Sequence, residues 1–271
     1  MSDPEFDYDL ALKLLSLSLE SYREGDAFQD EFEGLNKLAH INDLVTDTQL
    51  FILIDDKTHE LYIAFRGTSN IANLFTEVIA FKEKYPRENN DSKLFPMKVH
   101  QGALNAYLTV KDKIMEIVEK ENNRFEVKRI YTTGHSQGGA LATICAFDLK
   151  FAFPDIEFAM YNYGSIRTGN FAFARKFKKL IPNTYRVVNN EDFSARYPKF
   201  FYKHVGKLVF ISRNKLRVNP SRFFQFLENL DNPIGIATGQ AVFDHVADKY
   251  RIVMKDMEEV EKGKLYKKKR R

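Results

Sequence analysis

The chain has 271 residues, 44% of them hydrophobic with 24 phenylalanines, which is ample for a large core. Its formal charge of +4 resides in the last five residues, Lys267-Lys268-Lys269-Arg270-Arg271: taking those five away leaves −1 for residues 1–266. A nucleic-acid-binding fold would carry its basic excess on the folded body, so no nucleic-acid partner is expected.

The single cysteine, Cys145, excludes an internal disulfide and fits a packing role in a reducing compartment. No apolar run approaches the roughly 18–20 residues of a membrane span. The acidic start, Met1 to Asp9, lacks the apolar stretch of a signal peptide. The expectation is a protein that is cytoplasmic or exported without a cleavable signal. No linker divides the chain: one domain is expected over residues 1–253, followed by a charged, partly flexible tail over 254–271.

Residues 7 to 22 read as a helix with Leu10, Leu14 and Leu17 on one face. Gln49 to Ile54 and Leu61 to Phe65 are strand-like, joined by a polar loop from Asp55 to Glu60. The second strand runs into Arg66-Gly67-Thr68-Ser69, where Gly67 permits a turn and Thr68 offers both an N–H and a hydroxyl. Residues 70 to 81 follow, with apolar positions 71, 74, 75, 78 and 79 at helical spacing. Two readings stay open for this segment: a helix packed on the core, or an amphipathic lid beside a site. A long helix is predicted from about Gly102 to Glu121, its buried stripe made by Leu104, Tyr107, Leu108, Ile114, Ile117 and Val118.

Val127 to Thr133 is rich in β-branched and aromatic residues and reads as a strand; Gly138 to Phe147 carries no charge and reads as a buried helix. Between them lies Gly134-His135-Ser136-Gln137-Gly138. Strand, Gly-x-Ser-x-Gly, helix is the setting of a nucleophile elbow, a turn so tight that the residues around the serine must be nearly bare. It lifts the serine hydroxyl off the sheet and aims the Gln137 N–H at an oxyanion. The alternative is a glycine-rich turn with an idle serine. Further strands are predicted over Phe158–Tyr163, Thr184–Asn189 and Lys207–Ile211, the last clear one, with a helix over Phe171–Leu180. Strands alternating with helices imply an α/β fold with a mainly parallel sheet and helices on both faces.

A serine hydroxyl needs a histidine base to attack an ester, and that histidine needs a carboxylate to hold its tautomer. In α/β hydrolases the order is Ser, then acid, then His. After Ser136 the histidines are His204 and His245. His204 stands just before a strand, while His245 follows all the strands and is preferred. Asp192 follows a strand directly, at the carboxyl edge where such an acid belongs; Glu191 and Asp244 are its rivals. For the oxyanion, the second donor commonly comes from a loop after a neighbouring strand, which points to Thr68.

These pieces, in this order, resemble the class 3 lipases, the family of the fungal triacylglycerol lipases. They are Phe65 to Ser69; Val99-His100-Gln101-Gly102 with Ala106-Tyr107; Gly134 to Ala140; Tyr163 to Phe171; Arg186 to Asp192; and Asp244-His245. The resemblance implies an α/β-hydrolase in which Ser136 is nucleophile, Asp192 the acid and His245 the base, with Thr68 and the Gln137 N–H as oxyanion hole. It places His100 and His204 among non-catalytic histidines and implies no metal or organic cofactor. The implied activity is acylglycerol hydrolysis through an acyl-enzyme, with a lipid ester as substrate and transient contact with a membrane or lipid–water interface. Phospholipase A or lysophospholipase activity is the close alternative, and a catalytically silent lipid-binding relative a further one.

The chain departs from the family pattern in three places. Asn73-Leu74 replaces Asn-Trp, with Glu77 where Asp is common; Gly164-Ser165-Ile166-Arg167 replaces Gly-Ser-Pro-Arg; and Phe193-Ser194-Ala195-Arg196-Tyr197-Pro198 replaces an aliphatic-Pro-Arg run. The last change is expected to reshape the wall of the acyl site.

Overall fold

The computed structural model describes residues 5–23, 31–68, 82–86, 96–190, 192–212, 215–221 and 245–257. Its helices and strands run in the order α1 (Tyr8–Glu20), β1 (Glu31–Phe32), β2 (Leu35–Asp43), β3 (Thr48–Asp55), β4 (Glu60–Phe65), β5 (Lys82–Lys84), β6 (Lys98–His100), α2 (Gln101–Leu108), α3 (Lys111–Phe125), β7 (Arg129–His135), α4 (Gln137–Ala152), β8 (Glu157–Tyr163), α5 (Phe171–Leu180), β9 (Thr184–Asn189), β10 (Lys207–Ser212) and β11 (Lys215–Val218). A helical stretch at 247–257, α6, completes the described chain.

One sheet organises the molecule, in the order β1-β2-β3-β4-β7-β8-β9-β10-β11. From β4 to β10 neighbouring strands are parallel. Antiparallel hairpins close both ends. A separate antiparallel ribbon pairs β5 with β6.

The strands alternate between two buried faces, as the pleat requires. On one face Leu50, Ile52, Ile63, Phe65 and Ile130 pack with residues of α2 to α5, including Tyr107, Ile114, Phe147 and Phe177. On the other, Phe51, Leu53, Tyr62, Tyr161 and Tyr185 pack with Leu14 and Leu17 of α1 and with Tyr250, Met254 and Met257 of α6. A hydroxyl pins α1 to this back face: Tyr163 donates to Ala11 O, while Thr133 Oγ1, which donates to Tyr161 O at 2.8 Å, lies 3.2 Å from Leu14 O. The layered architecture expected from the strand–helix alternation is the one observed.

Four local differences have physical causes. The helix predicted over 102–121 is two helices, because Thr109 turns its hydroxyl back to Ala106 O at 2.9 Å and the chain breaks at the β-branched pair Thr109-Val110. Strand β2 has little apolar character to announce it; of its residues only Leu35 and Ile41 are buried. Strand β11 is four residues with none buried, too short for a pattern. The tail boundary drawn at 253 falls inside α6, whose Met254 and Met257 are buried in the core.

The 70–81 segment read as core helix or lid, and the basic run Lys267 to Arg271, lie outside the described residues. Among the described residues no helix is long and apolar enough to cross a membrane.

Candidate active site

Three strand ends at the carboxyl edge of the sheet supply the site. At the end of β7 the chain turns into α4 through Ser136, which has φ 57° and ψ −126°, a region that side chains enter only under strain of order 1–3 kcal/mol. The turn is held by Ser136 N–H donating to Tyr163 O at 3.0 Å and Gly139 N–H donating to Ser136 O at 3.1 Å. It needs bare neighbours: a Cβ on Gly138 would lie 2.5 Å from Phe65 O. Ser136 stands at the N-cap of α4, yet its side chain does not cap the helix. Its hydroxyl is turned to a histidine, and Gln137 opens the helix beside it, where amides carry the positive end of the helix dipole.

That histidine is His245. Its Nε2 lies 2.9 Å from Ser136 Oγ, and its Nδ1 lies 2.9 Å from Asp192 Oδ1. Serine, histidine and aspartate are 1%, 0% and 0% exposed, so their mutual contacts are shielded from water. Nδ1 bears the proton it donates to the carboxylate, which leaves the Nε2 lone pair for the serine hydroxyl. The Asp192 carboxylate is fully engaged. Oδ1 also accepts from Ser194 N–H at 2.8 Å, and Oδ2 accepts from the Tyr250 hydroxyl at 2.5 Å. Burial by itself would raise its pKa; the His245 charge and the hydrogen bonds from His245, Tyr250 and Ser194 outweigh that and hold it below the usual carboxylate range.

The structure therefore sets His245, not His204, against Ser136. His204 Nε2 instead donates to Ala195 O at 2.6 Å, and burial, then Arg186 and Arg167, push its pKa down. His100 caps α2, its Nδ1 accepting from Ala103 N–H at 3.3 Å. Glu191 and Asp244, the rival acids, lie outside the described residues. A Cβ on Gly67 would lie 2.6 Å from the carbonyl oxygen of His135 and 3.2 Å from the Cβ of Ser136, so this position lies close against the elbow; Thr68, the next residue, is half-buried. Cys145 is fully buried on α4 within the core. Among the described residues no group of three or more His, Cys, Asp or Glu side chains is placed to hold a metal ion.

Further residues complete the site in roles that sequence reasoning did not assign them. Tyr250 comes from α6, and its oxygen also accepts from Asn189 N–H at 3.1 Å, tying the helix to the end of β9. Phe193 meets the His245 ring edge-on with centroids 5.1 Å apart. His135, the variable residue of the elbow, stacks on His245 at 4.7 Å and its Nε2 donates to His245 O at 2.8 Å. Its Nδ1 then accepts from Tyr22, just beyond α1, at 2.8 Å. His135 was legible as a motif position; Tyr22 carried no local sign.

Burial, then the nearby His245, lowers the pKa of His135 to about 3 from an ordinary 6.5, so it stays neutral in the fold. The unfolded chain can take up that proton below pH 6.5, so stability is lost as pH falls from 6.5 towards 3. One proton corresponds to a slope of about 1.4 kcal/mol per pH unit. His135→Gln keeps a donor for His245 O but does not titrate. Its unfolding free energy, measured by urea titration from pH 7 to pH 4, is expected to fall less steeply than that of the parent. His100, His204 and Asp192, whose pKa values are also lowered, keep the remaining slope in the same direction. Equal slopes in the two proteins would remove His135 from the acid response.

Known proteins resemble this chain in sequence and in fold. A lipase from Rhizomucor miehei is 28% identical over 226 residues, covering 80% of this chain and 60% of its own length. A secreted mono- and diacylglycerol lipase from Malassezia restricta is 31% identical over 146 residues, 53% of this chain and 49% of its own. The chain thus spans about half to three fifths of these relatives. Among solved structures, a triacylglycerol lipase whose catalytic centre is a serine-protease triad superposes with a TM-score of 0.73 at 25% identity, covering 88% of this chain and 92% of that one. The Lipase (class 3) family pattern matches residues 62–202, just over half of the sequence, and this chain belongs to the class 3 lipase family.

Proposed function

We propose that this chain is a serine hydrolase of lipid carboxylic esters, an acylglycerol lipase acting through an acyl-enzyme. The observation that carries the reading is the buried hydrogen-bonded line from Ser136 Oγ through His245 to Asp192. The names of the relatives, lipases of acylglycerols, support the choice of substrate class.

In this mechanism His245 Nε2 takes the Ser136 proton as Oγ attacks the ester carbonyl carbon. Charge builds on the carbonyl oxygen, where Thr68 and the Gln137 N–H donate to it. The intermediate collapses, and the leaving alkoxide takes the proton from Nε2. Water then gives a proton to Nε2 and attacks the acyl carbon, and Ser136 Oγ leaves with that proton restored. Asp192 keeps Nδ1 protonated throughout and steadies the imidazolium.

Release of fatty acid from mono-, di- and triacylglycerols, run beside phosphatidylcholine and lysophosphatidylcholine and a series of chromogenic esters of rising chain length, tests the reading. Faster release from glycerides than from phospholipids is expected. The reverse order would make the protein a phospholipase A or lysophospholipase. No turnover of any ester, with Ser136 also unreactive to a phosphonate ester probe, would leave a silent lipid-binding relative. Thr68→Val, which deletes the hydroxyl but keeps the backbone donor, is expected to leave weak but measurable turnover, slower by on the order of 10²–10³.

A further inference from the structure

The departure at Phe193-Ser194-Ala195, read from sequence as a change in the wall of the acyl site, leads to the triad itself. Ser194 is fully buried at the start of a 3-10 turn, Ser194–Arg196. Its Oγ lies 2.8 Å from Asp192 Oδ1, 2.8 Å from His245 Nδ1, and in a close hydrogen bond with Gly164 O. A hydroxyl has one proton and two lone pairs. Gly164 O and the Asp192 carboxylate can only accept, so the one proton serves these two and none of it is left for Nδ1. The Nδ1 of His245 bears a proton whenever Nε2 is free to receive one from Ser136. A lone pair of Ser194 Oγ therefore faces the Nδ1–H, which has two acceptors within 2.9 Å in place of one.

We propose that Ser194 is a positioning residue for His245: its hydroxyl is a second acceptor for the Nδ1–H, holding ring and tautomer together with Asp192. The proposal rests on the reading of His245 as the base of Ser136. A serine that served only the turn would need nothing beyond Gly164 O and its own N–H to Asp192 Oδ1; the contact with Nδ1 is surplus to that role. Because Nδ1–H becomes a stronger donor when the ring is charged, an acceptor there favours the imidazolium.

Three readouts test it on the full chain. Ser194→Ala keeps the N–H to Asp192 but removes the acceptor. Its kcat/KM on a soluble ester is expected to drop roughly 10-fold, and the acidic limb of its pH profile to move down by roughly half to one pH unit. Ser194→Thr keeps the hydroxyl and is expected to keep the limb in place. Asp192→Asn leaves Ser194 as the remaining acceptor of the pair, so adding Ser194→Ala to Asp192→Asn is expected to cost more than it does in the parent. Should the alanine form not fold, Ser194→Cys fills the same space with a weak acceptor and is expected to move the limb in the same direction.

Parental kcat/KM and an unmoved limb in Ser194→Ala, with Ser136→Ala and His245→Ala inactive, would overturn the role of Ser194 and leave the triad reading standing. Turnover by Ser136→Ala or His245→Ala would overturn the triad reading itself, and this proposal with it.

Discussion

Ser136→Ala and His245→Ala are each expected to abolish nearly all ester hydrolysis, a loss on the order of 10⁶, and the double change is expected to cost little more than either alone. The two side chains act as one unit through the 2.9 Å contact between Oγ and Nε2: without the base the hydroxyl is unreactive, and without the hydroxyl the base has nothing to deprotonate. Asp192→Asn is expected to be severe, on the order of 10³–10⁴, because the amide offers an N–H where His245 Nδ1 needs an acceptor. Glu191→Gln and Asp244→Asn are expected to be mild. Steady-state rates on a soluble short-chain ester decide the matter. Near-parental activity in Asp192→Asn, with loss in either of the other two, would move the acid to another carboxylate.

Gly164→Ala is also expected to be damaging, although Gly164 itself takes no part in the chemistry. Gly164 follows β8 with φ +53°, and an added Cβ would lie 2.4 Å from Asp192 Oδ2, 3.0 Å from the Tyr250 oxygen and 3.2 Å from His245 Nδ1. No flexible chain end can give way there, because Asp192 is held by Tyr250, Ser194 and His245 at once. The methyl therefore displaces the acid from the base, and a loss of at least about 10²-fold in kcat/KM is expected, as for other small misplacements of catalytic groups. Gly34→Ala is the control: it shares a left-handed backbone, φ +79°, but has open space around it. Its cost is the backbone term alone, roughly 1–2 kcal/mol. Urea unfolding of both variants separates that term from the clash. If Gly164→Ala loses no more stability than Gly34→Ala and keeps its activity, the packing around the acid is looser than described.

The sequence by itself determined what is local. The elbow was legible because its requirements are short-range: a β-branched strand, two bare positions, a serine and an uncharged helix all fall between Val127 and Phe147. The strands β3, β4, β8 and β9 were legible for the same reason, since burial on both faces leaves dense apolar runs, and α5 from the one apolar side it buries with Phe173, Ala174 and Phe177. Asp192 and His245 were reached through chain order and family resemblance, because no local pattern marks a residue that must find Ser136 from 109 positions away, or a carboxylate that must find the histidine across 53. Only the packing of α6 and α1 on the back of the sheet decided that Tyr250 grips the acid and Tyr22 the elbow histidine. Ser194 shows the limit most sharply: in the sequence it is one small polar residue inside a departure from the family pattern. The 3-10 turn after Asp192 aims it at the imidazole, and that direction exists only when β8, β9 and α6 are brought together around one point.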